Sequence, residues 1–412
     1  MTKSLRFASA VVMTGILSGL GGMLLAMLLH AVQHLAFGYS QDAIISKESF
    51  LQGVTAASGE RRLLALLTGG IIAGAGWWLL ARYGRPRVSV NAAVKDPAKP
   101  MPGVTSLIHA LLQIITVALG SPLGREVAPR EIGALGATSL ARAFGLAPED
   151  TRVLIACGAG AGLAAVYNVP LAGAIFTLEV LLISFRWSCV LPALVTSALG
   201  AYVATFGLGN ESQYHFSAPA ADTPLIIWAI VTSPLFGYAA HLFRRYTGHA
   251  RKGIKTNWQM PVLCLLSFGL TGILSLWFPQ LPGNGKGPTQ LALWGELTGL
   301  LPVMLLLLKL VLIWAVLRAG AEGGVLTPGF TVGALLASIL FTVFSPFLPA
   351  GDQTAIALSG AAAFLAASMQ MPLTTVMLAA EFTHMGSTLV IPVMLAVGGS
   401  FATCCAIEKR AK

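Results

Sequence analysis

Four charged side chains, Arg125, Glu126, Arg130 and Glu131, interrupt the otherwise apolar stretch GSPLGREVAPREIGALGA at residues 120–137. Gly124 permits a tight turn ahead of them, and Pro129 suits the first turn of a helix running onward, where its missing N–H costs nothing. The N–H groups at such a helix start have no intrahelical partner and the dipole is positive there, so the turn is ready to take an anion. Glu126 sits where that anion would go. Its carboxyl can fill the site when ionised and leave it when protonated, so that proton uptake and anion access compete. The plainer alternative is an ion pair of Glu126 with Arg125 or Arg130. Arg130 and Glu131 themselves read as loop or interface partners.

A second Gly- and Pro-punctuated turn, GGVLTP at 323–328, leads into another apolar run and offers the same arrangement. Two helix starts converging from different parts of the chain would hold a dehydrated anion by partial charges and still let it go.

The elements that must position these turns are membrane helices. Of 412 residues, 56% are hydrophobic and 10% charged, and the mean hydropathy is +0.78, which excludes an ordinary soluble domain. Apolar runs recur near 5–37, 61–83, 104–119, 126–143, 150–166, 170–185, 188–207, 223–243, 258–278, 300–317, 328–346, 353–368, 371–384 and 387–407. Many are shorter than the about 20 residues a bilayer crossing needs. Short helices broken at membrane depth are tolerated only where the freed backbone lines an enclosed site or an aqueous path, which points to transport. The expected fold class is therefore all-α and polytopic, with a single transmembrane domain over 1–412 and no soluble regulatory domain. The first run has no A-x-A cleavage signal and reads as a retained helix.

The formal net charge of +10 does not imply nucleic acid, because the basic residues lie in short loops rather than along one solvated face. Loop 84–100 carries Arg85, Arg87, Lys95 and Lys99; loop 244–255 carries Arg244, Arg245, Arg251, Lys252 and Lys255; Lys3, Arg6, Lys409, Arg410 and Lys412 lie at the ends. The positive-inside rule puts both termini in the cytoplasm. The five cysteines have no CxxC spacing and read as buried structural thiols. No metal or other cofactor is implied. HExxH and GxSxG are lacking, and the histidines do not cluster with a nucleophile, so a membrane-embedded enzyme has no support.

The segments GAGAGLAAVYNVPLAGAIFTLE (158–179) and GAAAFLAASMQMPLTTVMLAAE (360–381) align without a gap. The Pro170-Leu171 and Pro372-Leu373 pairs fall in register, as do Glu179 and Glu381. Two homologous halves, about 1–207 and 208–412, follow, the pattern of many transporters.

These motifs resemble those of the CLC chloride channels and anion/proton antiporters. GREVAP resembles the family's GREGP, GAGAGLAAVYNVPLAG its GAAAGLAAAFNAPLAG, and GGVLTP its GGIFAP. The resemblance implies a CLC-like fold of two inverted half-repeats and a homodimer with one ion path per subunit. It also implies a central anion, chloride or fluoride, facing helix N-termini. Glu126 takes the place of the gating and proton-carrying glutamate; Gly124 and Arg125 belong to its motif; Val325 and Leu326 match residues whose backbone N–H groups bind the anion. The family's GSGIP turn, whose serine binds chloride, is missing from RPRVSVNAAVKDPAKPMPG (85–103), where Ser89 is the stand-in on offer. No tyrosine follows Tyr246, and Val180 occupies the place of the internal proton glutamate, with Glu179 before it as the remaining candidate for a proton route.

Loss of that serine and of the internal glutamate, with the gating glutamate kept, is similar to the fluoride/proton antiporter branch. Thr327 could donate its hydroxyl to a small, strongly hydrated anion, or simply cap the helix before Pro328. Glu179 and Glu381 otherwise read as structural caps, Asn168 as a turn former, Lys309 and Arg318 as snorkelling residues, and His109 as a hydrogen-bonded packing residue. The expected function is anion/proton antiport in the inner membrane of a bacterium, with fluoride exported. A chloride/proton antiporter or a passive chloride channel of the same fold is the alternative.

Overall fold

A computed structural model describes residues 2–40, 42–46, 48–217, 220–254, 256–345 and 353–410. Lys255 and Lys412 lie outside the described residues. The described chain is almost entirely helical, with seventeen α-helices. A first series comprises α1 (Lys3–Phe37), α2 (Phe50–Ala56), α3 (Gly59–Tyr83), α4 (Val90–Lys95), α5 (Gly103–Ala118), α6 (Val127–Ala143), α7 (Pro148–Tyr167), α8 (Pro170–Phe176) and α9 (Trp187–Leu208). A π-helical stretch, Thr177–Leu182, prolongs α8. The second series comprises α10 (Thr223–Lys252), α11 (Gln259–Leu274), α12 (Lys286–Leu293), α13 (Leu301–Ala319), α14 (Leu326–Phe344), α15 (Gln353–Met369), α16 (Pro372–Thr383) and α17 (Val390–Arg410).

Seven of these helices are long and apolar enough to cross a membrane, and α5, α8 with its π-helical extension, α11 and α15 are shorter apolar helices. The apolar runs read from sequence locate each of them. Three short helices, α2, α4 and α12, carry too many polar residues to register as apolar runs. The basic residues Arg244, Arg245, Arg251 and Lys252 sit on the last turns of α10 rather than in a loop. Arg251 and Lys252, in the last turn, also complement the negative end of the helix dipole.

The two series repeat one set of neighbours. In the first, α1 packs on α7 and α9, α5 on α6, and α6 on α7; in the second, α10 packs on α15 and α17, α13 on α14, and α14 on α15. Counterparts also meet each other, α3 against α11 and α8 against α16. The breaks coincide: α7 ends at Asn168 with φ 54°, and α15 ends before Gln370 with φ 56°. Glu179 receives the Leu373 and Thr374 N–H groups at the start of α16, at 2.9 and 2.7 Å. Glu381 receives those of Leu171 and Ala172 at the start of α8, at 2.9 and 2.8 Å. Each carboxylate follows or ends its own helix and caps the start of the other, so α8 and α16 run antiparallel. The halves are inverted, as the fold class required.

Close helix approach depends on small residues, the usual route to tight packing in lipid. A Cβ on Gly133 of α6 would overlap the Gly158 carbonyl of α7. Four of the cysteines are buried and all five are free.

Candidate functional site

Glu126 is the N-cap of α6 and is completely buried. Its carboxylate does not pair with Arg125 or Arg130. Instead it reaches across to the other half, where Oε1 accepts the Leu326 N–H at 2.8 Å. Leu326 is the first residue of α14, so this N–H is one that the helix itself cannot satisfy. Oε2 accepts from the Tyr167 hydroxyl and the Thr327 hydroxyl, both at 3.3 Å. A carboxylate thus occupies the positive end of α14.

The local sequence explains why the chain can do this. Pro129 and Pro328 are each the third residue of their helix, in the first turn, where a missing N–H leaves no broken bond. The loops ahead of the helices are joined by reciprocal main-chain bonds, Gly124 N–H to Gly324 O at 2.7 Å and Gly324 N–H to Gly124 O at 2.9 Å. A Cβ on either glycine would overlap the Glu126 carboxylate. Gly124 therefore contributes space rather than an N–H, because its own N–H is spent on Gly324.

Tyr167, the last residue of α7, was not singled out by sequence reasoning. Its hydroxyl touches both Glu126 and, at 3.4 Å, Thr327. The available signal was the tyrosine in AVYNVPLAG where the family segment has phenylalanine: a hydroxyl added to a ring that packs in a core. Asn284, in the loop before α12, donates to Thr327 Oγ1 at 3.4 Å. That loop is held by Lys309, fully buried on α13, whose Nζ donates to Leu281 O at 2.9 Å and Gly283 O at 2.5 Å. Lys309 does not snorkel; it fixes the segment that carries Asn284.

Tyr167 and Thr327, the hydroxyl partners of the carboxylate, also line a cavity of about 430 Å³ with His30, Arg125, Asn284 and Lys286 in its walls. Arg125 is buried; its Nη2 donates to Val166 O at 3.3 Å, and its guanidinium lies 5.2 Å from the centre of the Tyr167 ring. Its Nε has no partner. The cavity also meets the last turns of α1 and α9, whereas their counterparts α10 and α17 end beside a separate basic pocket lined by Arg244, Arg245, Lys252 and Glu408.

Two buried helix starts, one plugged by a carboxylate from the opposite half, point to anion transport, and comparison with known proteins agrees. The family model described as "Voltage gated chloride channel" matches residues 69–404. The chain belongs to the CLC family. Among its relatives, the voltage-gated ClC-type chloride channel ClcB of Citrobacter koseri is 32% identical over 356 residues, covering 81% of this chain and 82% of the relative. ClcB of Escherichia coli O9:H4 is 28% identical over 349 residues, with the same coverage of 81% and 82%. A slow cyanobacterial Cl−/H+ antiporter superposes with a TM-score of 0.82 at 19% identity, over 98% of this chain and 95% of that one. A CLC-type fluoride/proton antiporter does so with a TM-score of 0.76 at 20% identity, over 97% and 96%.

Against the CLC motifs, the remaining expected residues divide. Leu326 presents its N–H to the site, while Val325 precedes it as the N-cap of α14. Thr327 is not an N-cap: it lies within the first turn of α14, its hydroxyl facing Glu126. Ser89 is exposed and caps α4, accepting the Ala92 N–H at 3.2 Å, and it is not among the partners of the Glu126 carboxylate. Glu179 is committed elsewhere, since besides two N–H groups it accepts the Thr374 hydroxyl at 2.6 Å. Arg130 is a helical residue bonded to the Glu126 main-chain carbonyl at 2.8 Å, with its guanidinium 5.2 Å from the Phe176 ring. His109 and Glu131 meet each other in a buried cluster below the site.

Proposed function

We propose that this CLC protein is a secondary active anion/proton antiporter in which Glu126 is both plug and proton carrier, and that the anion exported is fluoride. The observation that carries the reading is the buried Glu126 carboxylate seated on the free N–H of Leu326. Protonation removes its charge and weakens three charge-assisted bonds, so a proton gained lets an anion in. Thr327, Tyr167 and Asn284 surround the place with donors, which suits fluoride best, because that ion gives up its water only for real hydrogen bonds. Gly124 and Arg125 belong to the same anion-binding turn, with Val325 and Leu326 opposite them. By the positive-inside rule the cavity lined by Tyr167 and Thr327 opens outward, both termini lie in the cytoplasm, and bacterial relatives support an inner-membrane location. The family resemblance supports a homodimer of single transport domains, each made of half-repeats about 1–207 and 208–412.

Chloride is the second reading, exchanged for protons or conducted passively. It is favoured by the chloride channel named in the ClcB relatives and the Cl−/H+ antiporter among the structures. Purified protein in liposomes separates these readings when fluoride and chloride efflux are followed with external pH. Antiport predicts proton uptake that Glu126→Gln abolishes while some anion movement persists. Chloride efflux equal to or faster than fluoride overturns the fluoride assignment, and a reversal potential indifferent to a pH gradient overturns antiport.

A further inference from the structure

His109 on α5 stands between two carboxylates. Its Nδ1 lies 2.7 Å from Glu131 Oε2 on α6, and its Nε2 lies 3.2 Å from Glu322 Oε2 in the loop before α14. Gln113, one turn along α5, donates to Glu131 at 3.3 Å and lies 2.8 Å from His109 Nδ1. Arg87, from the loop after α3, pairs with Glu322 at 2.6 Å, sits 4.0 Å from Glu131, and brings its Nη1 against His109 Nε2 as well, so that the guanidinium and Glu322 share that edge of the ring. Arg251 of α10 donates to Gly323 O at 3.1 Å, and Trp77 of α3 closes the last side with its ring 6.4 Å from the imidazole.

The cluster is joined to both walls of the Glu126 site. Glu131 and Glu126 share the first turns of α6, five residues or roughly 7.5 Å apart along the axis. Glu322 lies in the same short loop as Gly324 and leads to the Leu326 N–H. Only the entrance is open: the Glu322 side chain is 35% exposed, whereas His109 at 2%, Glu131 at 5% and Glu126 at 0% are buried. Arg87 and Arg251 belong to the two basic regions that the charge rule places inside, opposite the cavity lined by Tyr167 and Thr327.

We infer that Glu322, His109 and Glu131 form the inner proton route to Glu126, an inference that rests on the antiport reading. Such a route is needed because Val180 occupies the family's internal glutamate position and Glu179 is locked onto α16. An imidazole between two carboxylates accepts a proton at one nitrogen as it gives up the one on the other, so the charge passes without the ring leaving its place. A proton arriving through Glu322 goes to Nε2, the Nδ1 proton goes to Glu131, and from Glu131 it has about 7.5 Å left to cover along α6, a gap for water to bridge, before it reaches Glu126. Burial alone would raise the Glu322 carboxyl, but the hydrogen bond from His109 and the charge of Arg87 outweigh it and hold it down to about 2. Glu322 is therefore an ionised entrance to the row.

The test uses the full-length protein in liposomes, with halide efflux and proton uptake recorded together for wild type, Glu126→Gln, His109→Gln, Glu131→Gln and Glu322→Gln. The three relay variants are expected to slow proton movement by at least about tenfold, the loss of a positioned acid–base group. Halide binding measured by calorimetry stays unchanged, and only the response to internal pH flattens. A purely structural role would instead lower halide binding and weaken the responses to internal and external pH together, which would overturn the route. Glu322→Gln, on a partly exposed loop, carries the test if the buried His109→Gln does not fold. Proton movement stopped by Glu126→Gln but kept at the wild-type ratio in His109→Gln or Glu322→Gln overturns the route alone. Wild-type halide flux without any proton movement overturns the antiport reading and the route with it.

Discussion

Removing one oxygen atom tests how the site chooses its anion. Tyr167→Phe deletes the hydroxyl that donates to Glu126 Oε2 at 3.3 Å and meets Thr327 Oγ1 at 3.4 Å. The ring itself packs edge-on against Phe382, centroids 5.4 Å apart, and phenylalanine preserves that contact, so folding is not at stake. Hydrogen bonds to a charged acceptor are worth about 1.5–3 kcal/mol, and this one is longer than the usual 2.7–2.8 Å for O–H···O. The low end of the range applies, about 1.5 kcal/mol, which is roughly tenfold in affinity. A halide that displaces the carboxylate inherits the same donor. Fluoride depends on such donors more than chloride, which tolerates an apolar lining, so the loss falls unequally. Calorimetric titration of both halides in detergent should show the fluoride-over-chloride preference dropping about tenfold in Tyr167→Phe. An unchanged preference, or chloride weakened as much as fluoride, refutes the argument that this hydroxyl sets selectivity.

Other outcomes follow from single contacts. Gly324→Ala places a Cβ on the position of the Glu126 carboxylate, which the proposed mechanism gives to the anion, so halide flux should fall by at least about a hundredfold in an efflux assay, the loss of about 3 kcal/mol of binding. Gly269→Ala, whose Cβ would come no closer than 3.3 Å to a Leu67 methyl, is the control that should keep flux. Lys309→Met leaves the buried Leu281 and Gly283 carbonyls unpaired, costing about 1–3 kcal/mol each; thermal unfolding in detergent should show a clearly lower Tm together with weaker halide binding. Glu179→Gln should lower Tm through loss of a charged helix cap, about 1 kcal/mol, while the proton-to-anion ratio stays the same. A changed ratio would return Glu179 to the proton route. Because Glu322 is held down to about 2, it stays ionised near neutrality. The pH dependence of transport between mildly acidic and neutral conditions should therefore survive Glu322→Asp in shape.

Much of the site was legible because it rests on local rules. A glycine turn followed by proline in the first helical turn marks a helix start whatever surrounds it, and both GREVAP and GGVLTP obey that rule. Apolar runs located the long helices for the same reason, since each must satisfy its backbone internally in lipid. What escaped was non-local. Tyr167, Asn284 and Lys309 become site residues only when α7, the loop before α12 and α13 meet, and nothing in the spacing along the chain records that meeting. Lys309 looked like a snorkelling residue because its flanks are apolar, whereas the carbonyls that hold it lie in another segment. Ser89 shows the opposite failure: a residue in the expected stretch whose hydroxyl is spent on its own helix. The short helices α2, α4 and α12 leave no hydropathy signal, since a helix of one or two turns with polar residues among its apolar ones makes no apolar run.

The inverted repeat separates scaffold from function. Glu179 and Glu381 occupy matching positions and exchange caps reciprocally, each taking two backbone N–H groups at 2.7–2.9 Å. Such bonds fasten both helix starts, with the Thr374 hydroxyl added on Glu179, and give neither carboxylate a reason to leave. Glu126 also crosses from one half to cap a helix of the other, but the exchange is one-way: in the aligned turns GREVAP and GGVLTP, Val325 stands opposite it. Its grip is also looser, with one N–H at 2.8 Å and two hydroxyls at 3.3 Å. Hydroxyls can rotate to serve another acceptor, whereas paired backbone N–H groups cannot. A carboxylate in a reciprocal cap of two backbone N–H groups is built to stay. One held asymmetrically by two rotatable donors beside a single N–H, in a space kept open by Gly124 and Gly324, has the weaker hold that the proposed exchange for an anion requires.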